Sequence, residues 1–334
     1  MTLSDACRKG REKIKDLFEK NRLKAQIKAQ GHLIIYAYGP NRTDDPAINA
    51  TAAGRHQRRI LKPEEAAAID AIRRCRSPAE LMRAAPHLME ESASGQLMYI
   101  HTAVTHIVHL WRSNILEYTH GEDWYRVNVY SMLWDAAFLD SPDLRTIRSE
   151  NKPLLLLGRK LHTTRVDFIY RHYPREQDIL FAEEKKDGSG VTEDLLKCDR
   201  LRVAHLHHWA SQAATEYKDV ADEYLESVSL QWAGLTASLY GSRRFVLQAT
   251  NNTQPAILHY EKSTFAVPAS PEDPIAYNQL ADCLSTAISV QREGEIISEM
   301  LQALDDAKSV PKDYRRTADS MSRMLHKIQE KYSE

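Results

Sequence analysis

Between Thr163 and Lys186 the chain reads TTRVDFIYRHYPREQDILFAEEKK, two apolar runs that each meet charge. Val166-Asp167-Phe168-Ile169-Tyr170 has the composition of a buried strand with one carboxylate inside it. Ile179-Leu180-Phe181-Ala182 runs directly into Glu183-Glu184-Lys185-Lys186. The short polar stretch with Pro174 between them reads as a turn, so the pattern predicts two paired strands. A charge inside an apolar strand is costly unless it is paired or holds a metal. Side chains alternate across a strand, so Glu183 and Lys185 share one face and Glu184 and Lys186 the other. An acid on one strand, with an acid and a lysine on the next, can hold a divalent cation and offset phosphate charge. The bland alternative is a strand leaving its sheet, with Asp167 paired to Arg165 or Arg171.

This arrangement resembles the PD-(D/E)xK nuclease superfamily, whose fold is restriction-endonuclease-like. In that family an acid on one strand is followed by an acid-x-lysine on the next. Asp167 matches the first acid. Glu183 with Lys185 is the preferred second element, because the family's acid usually follows four apolar residues directly. Glu184 with Lys186 is the other register. Val166 stands where the family's Pro would be. The segments GEDWYR, RVDFIY, FAEEKK, SLQWAG and TASLYG also resemble fungal proteins with a nuclease-like domain. The resemblance spans roughly residues 120 to 302.

The resemblance implies an α/β fold, a mixed sheet flanked by helices. It implies hydrolysis of nucleic-acid phosphodiester bonds with Mg2+ or Mn2+. Asp167 and Glu183, or Glu184, become candidate metal ligands, with Glu122 as an additional acid and Asp123 behind it. Lys185, or Lys186 in the other register, would orient the attacking water and offset phosphate charge. The partner implied is nucleic acid, DNA before RNA. The competing readings are a nuclease-like module that has lost catalysis and binds nucleic acid or protein, and a helical scaffold whose strands are only structural.

Elsewhere the pattern predicts organisation. Glu122 to Leu139 is apolar at helical spacing through Trp124, Val127, Leu133, Trp134, Ala137 and Phe138. Asp143 to Pro153 reads as a polar connector. Asp187-Gly188-Ser189-Gly190 ends the hairpin, and Thr192 caps a helix to about Tyr217. Ser227 to Gly234, Thr236 to Tyr240, Phe245 to Thr250 and Ala256 to Ala266 read as strands, with a turn at Asn251-Asn252-Thr253. From Asp273 the chain reads as helix with a break near Pro311. Ile288, Ile296, Ile297, Met300 and Leu301 should face the body of the protein.

The first 119 residues read as a separate, mostly helical region, and residues 303–334 as a helical tail. Residues 1 to 30 hold nine Lys or Arg and four Asp or Glu. Ile14, Leu17, Phe18 and Leu23 give that stretch an apolar stripe, either a solvated amphipathic helix or a nucleic-acid-binding arm. His32 to Tyr38 reads as a strand and Gly39 to Lys62 as a linker. Ser77-Pro78-Ala79-Glu80 is a helix start with a capping box. A further helix should run from Gln96 to about Tyr118.

The 334 residues carry a net charge of −1, so nothing pulls the whole chain toward nucleic acid. Basic residues on the helix after the hairpin, Lys197, Arg200 and Arg202, are the candidate phosphate contacts. Four scattered cysteines make neither a CxxC pair nor a disulfide framework, which suggests a reducing compartment. No apolar signal core opens the sequence and no apolar run is long enough to span a bilayer. The expectation is therefore an intracellular protein of nucleus or cytoplasm, without a membrane partner. His106 with His109, and His205 with His208, have metal-binding spacing but no third ligand nearby, so surface or packing roles are expected.

Overall fold

The computed structural model describes residues 33–38, 42, 52, 59–85, 95–151, 153–154, 165–249, 252–311 and 317–332. It is an α/β structure built on one seven-stranded mixed sheet. In chain order the strands are β1 (Leu33–Tyr36), β2 (Leu144–Asn151), β3 (Val166–His172), β4 (Gln177–Lys185), β5 (Ser227–Ala233), β6 (Thr236–Ala249) and β7 (Asn252–Ala266). Their order across the sheet is β1-β7-β6-β5-β4-β3-β2. β4 runs parallel to β5 and β1 parallel to β7; the other neighbours are antiparallel.

The main helices are α1 (Pro63–Arg74), α2 (Pro78–Ala84) and α3 (Gly95–Arg112), ahead of the central strands. Next comes α4, which starts as Glu122–Tyr125, opens into a π turn over Arg126–Tyr130 and closes as Ser131–Leu133. Then follow α5 (Val191–Gln212), α6 (Lys218–Tyr224), α7 (Ala276–Ser309) and α8 (Ala318–Lys331). A parallel neighbour cannot be reached by a tight turn, so α5 and α6 carry the chain from β4 to β5.

Strand alternation sorts the core onto two faces. Ile169 and Phe181 pack with Cys198 and Leu201 of α5. Phe168, Tyr170, Leu180 and Ala182 face the other way, into the large cluster that also takes in α1, α3, α4 and α7. There Phe138 packs edge-on to Tyr170, at 4.8 Å between ring centres. Gly294 of α7 lies against the same ring; a Cβ there would come within 2.9 Å of it. Trp232 stacks on Tyr130 and meets Trp134 and Phe265 edge-on. Ile288, Ile296, Ile297, Met300 and Leu301 are buried, as their spacing predicts. Among the described residues, no helix is long and apolar enough to cross a membrane.

Several elements differ from the sequence reading, each for a physical reason. The stretch read as a polar connector holds β2, an edge strand whose half-buried Arg148 is engaged in ion pairs with Asp135 and Glu184. The helix expected over Glu122–Leu139 is broken by the π turn and ends in a 3-10 turn at Asp135–Phe138, and Val127 is exposed. α5 starts at Val191 behind Gly190, whose φ of 75° suits glycine, and stops at Gln212, so Thr192 is not the cap. α3 ends at Arg112, with a separate 3-10 turn at Ile115–Glu117.

The two strands expected between Thr236 and Thr250 are one, and Asn252 and Thr253 already belong to β7. The apparent gap in β6 is polar because Ser242 bonds Arg202 and His259, and Arg243 and Arg244 pair with Glu226 and Asp222. Gly241 there packs under Tyr260 and the Glu226 carboxylate.

The capping box holds in part: Glu80 N donates to Ser77 Oγ at 3.2 Å, while the Glu80 carboxylate takes Arg76 N instead. The described residues ahead of residue 120 are mostly helical, as expected. It also contributes β1 to the sheet, and its Glu65 is clasped by Arg292 of α7. The basic stretch 1–30 and nearly all of the expected linker 39–62 lie outside the described residues.

Candidate functional site

The end of β4 brings the motif together. β3 runs antiparallel to β4, so Asp167, near the start of β3, lies beside the carboxyl end of β4. Asp167 Oδ2 accepts the backbone N–H of Glu184 at 2.9 Å. That end of β4 is also where the chain leaves a strand with a parallel neighbour, the usual place for ligands in open α/β sheets.

Alternation then separates the two glutamates. Glu183 and Lys185 point toward α5. Lys197 Nζ sits 2.6 Å from Glu183 Oε2 and 3.5 Å from Asp194, and Lys185 Nζ is 3.1 Å from Asp194. Glu183 is only 2% exposed, and its Oε1 makes no hydrogen bond. Burial pushes its carboxyl up to about 8, against the pull of Lys197, and the neighbouring Asp167 and Asp194 push the same way. Burial works against the charge on Lys197, but Glu183 and Asp194 outweigh it and raise its pKa. The same balance, with Asp194 as the main partner, raises Lys185.

Glu184 points the other way, toward α4 and β2, and both its oxygens are taken. Arg126 Nε donates to Oε2 at 2.9 Å, and Arg148 Nη1 donates to Oε1. Arg148 also binds Asp135 through two donors and lies over the Phe168 ring. Burial raises Asp135 to about 6, against the pull of Arg148.

Arg126 is the hub of this side. Besides Glu184 it donates to Glu122 and Asp123 at 3.0 Å each and to Asp167 at 3.2 Å. Four carboxylates therefore share one guanidinium. Glu122 has a raised pKa, from partial burial and then from Asp167. Lys186 lies exposed past the end of β4.

No family model matches this chain, and neither a curated protein nor a solved structure matches it. What the site can do therefore rests on its own geometry.

The structure brings together Asp167, Glu183, Lys185, Glu184 and Glu122, and leaves Lys186 outside the cluster. Of the three basic residues expected to touch phosphate, Arg200 alone is exposed. Lys197 is engaged with Glu183. Arg202 is fully buried and donates to Asp199, Tyr38, Ser229 and Ser242, so it holds α5 to the sheet and is removed from any phosphate.

The histidine pairs divide between packing and surface, with His109 exposed. His205 is buried, and burial lowers it to about 3; His106 bonds the Asn128 carbonyl; His208 meets Gln212. Among the described residues no group of three or more His, Cys, Asp or Glu side chains is placed to hold a metal ion.

Sequence reasoning missed Arg126, Arg148, Asp135 and Asp194. Arg126 carried a signal, since it stands three and four residues after Asp123 and Glu122, the spacing of helical ion pairs. Arg148 carried none, because its segment did not read as a strand.

Proposed function

We propose that this chain is a divalent-metal-dependent nuclease that works at the Asp167–Glu183–Lys185 cluster. The observation that supports this most is Glu183, a buried carboxylate with one oxygen unbonded, next to a second acid and two lysines at a strand's carboxyl end. Such a group is poorly served by its surroundings and is suited to a cation. Mg2+ commonly takes only one or two carboxylates and fills its other positions with water and substrate phosphate, which suits a two-acid site.

Asp167 and Glu183 would hold the cation, which when bound supplies Lewis-acid stabilisation and a more acidic water. Asp167 is oriented for this by the Glu184 N–H and Arg126, and Glu183 by Lys197. Lys185 stands on the Glu183 face and offsets phosphate charge, steered by Asp194. Glu183 must ionise to bind, so the proton it holds near neutral pH leaves to solvent. In this reading the active register is Glu183 with Lys185, and Glu184 braces the scaffold. A DNA substrate belongs to the same proposal and rests on the resemblance alone; a nuclear or cytoplasmic setting rests on the free cysteines Cys75, Cys198 and Cys283.

The test is cleavage of single- and double-stranded oligonucleotides with Mg2+ or Mn2+, against EDTA. Cleavage that survives EDTA, or that tolerates Asp167→Ala, sinks the mechanism.

One observation favours a second reading, a non-catalytic module. Arg126 already donates to both Asp167 and Glu184, as a fixed cation would. Calorimetric Mn2+ binding that is lost in Asp167→Ala, with no cleavage of any oligonucleotide, would favour that module.

A further inference from the structure

A groove of about 740 Å³ lies between α7, α8 and the start of β2, away from the acid cluster. Its floor is apolar and adaptable: Met321, Met324 and Ile328 of α8 face Ala303 and Ala307 of α7. Its polar lining includes Asp143, Glu295, Glu299 and Asp306, and no lysine or arginine among the described residues. Two of these acids have a cation at the rim, Lys331 on Glu299 and Arg175 on Asp306. Glu295 is bonded by the neutral Gln291. An apolar trough with acidic walls is the complement of a helix that has an apolar stripe and basic flanks.

The chain itself holds such a segment. Residues 1 to 30 carry nine Lys or Arg against four Asp or Glu, and Ile14, Leu17 and Phe18 recur at i, i+3 and i+4. Reach is sufficient. β1 and β2 are the two outer strands of the seven, six spacings apart, which is about 29 Å at about 4.8 Å per spacing. Residues 24–32 span about 30 Å when extended.

We propose that the basic amphipathic segment around residues 13–24 docks in cis in this groove, with Leu17 and Phe18 on the methionine floor and its lysines along Asp143, Glu295 and Glu299. This inference does not depend on the nuclease reading.

The test is zero-length carboxyl–amine cross-linking of the full chain, read by mass spectrometry. Lys13, Lys15, Lys20 or Lys24 should join to Asp143, Glu295 or Glu299. The double substitution Leu17→Glu, Phe18→Glu should lower those yields several-fold, and Ile328→Glu on the groove side should do the same, with melting curves recorded alongside. A labelled synthetic peptide of residues 8–28 should bind the Leu17→Glu, Phe18→Glu chain at least about tenfold more tightly than the unaltered chain, whose groove the tethered segment fills. Cross-links scattered over other surfaces and unmoved by these substitutions would overturn the proposal. So would equal peptide binding by both chains, or cross-links formed solely between isotopically distinct copies.

Discussion

The two sides of β4 at its carboxyl end hold adjacent glutamates in opposite circumstances. Glu184 gives each of its oxygens to an arginine. Glu183, one residue earlier and as deeply buried, meets one lysine through one oxygen and leaves the other unbonded. A carboxylate of the first kind contributes to a folded state once its partners are in place, and removing it leaves Arg126 and Arg148 one partner short each. A carboxylate of the second kind costs stability, and chains keep such groups where ligands are handled. The contrast teaches which acid to associate with chemistry and which with architecture.

The largest expected effect is on the architectural side. Glu184→Ala should destabilise the fold by about 3–5 kcal/mol, the scale of breaking a buried ion pair by removing one partner. Chemical denaturation measures this, and a loss below about 1 kcal/mol would erase the contrast. On the chemical side, Asp167→Ala should lower Mg2+-dependent cleavage at least about a hundredfold, the scale of removing a catalytic electrostatic group. Glu183→Ala should lower it comparably and Lys185→Ala detectably. In contrast, Lys186→Ala should leave the rate unchanged within error, since Lys186 lies outside the cluster.

A smaller effect has the opposite sign. Glu183→Gln should raise the melting temperature without metal, by roughly 2–4 °C for each kcal/mol relieved. The pH dependence follows from the raised pKa, about 8 when folded against an ordinary glutamate value of 4.5. The folded state binds the proton more tightly, so the stability Glu183 lends is present below about pH 4.5 and is lost as pH rises toward 8. The gain from Glu183→Gln should therefore be largest near pH 8 and vanish near pH 4. A gain independent of pH would place the effect elsewhere.

A last effect is on metal affinity. Because Glu183 gives up its proton on binding, Mn2+ affinity should rise up to about tenfold per pH unit below pH 8 and then level off. Calorimetry in buffers of different ionisation enthalpy would report the released proton. A flat profile between pH 6 and 8 would remove Glu183 from the ligand set.

Much of this architecture was legible because it is written locally. Val166-Asp167-Phe168-Ile169-Tyr170 and Ile179 to Lys185 are strands because their apolar runs have no other home than a sheet, and alternation alone separated Glu183 from Glu184. Ser77 and Pro78 announced α2, and the apolar spacing of α7 placed its buried face. What stayed hidden depends on partners distant in sequence. β2 reads as polar because Arg148 is satisfied by Asp135 and Glu184, neither of which its own segment reveals. The middle of β6 looks broken for the same reason, since its polar residues answer to Arg202, Glu226 and Asp222. Arg202 was misassigned because a helical arginine looks alike whether it faces solvent or four buried oxygens.

The π turn at Arg126–Tyr130 has a consequence for how the acid set can change. A π turn amounts to one surplus residue in an α-helix. The bulge takes up that residue locally, so the turns on either side keep the phase of one continuous helix. Excising Val127 should therefore draw the π turn into ordinary α geometry while Glu122 and Asp123 keep facing Asp167 and Tyr130 keeps its bond to the Gly234 carbonyl. The same loss from a regular helix would turn everything before it by about 100° around the axis, so this wall of the cluster tolerates a deletion where an unbulged helix would not.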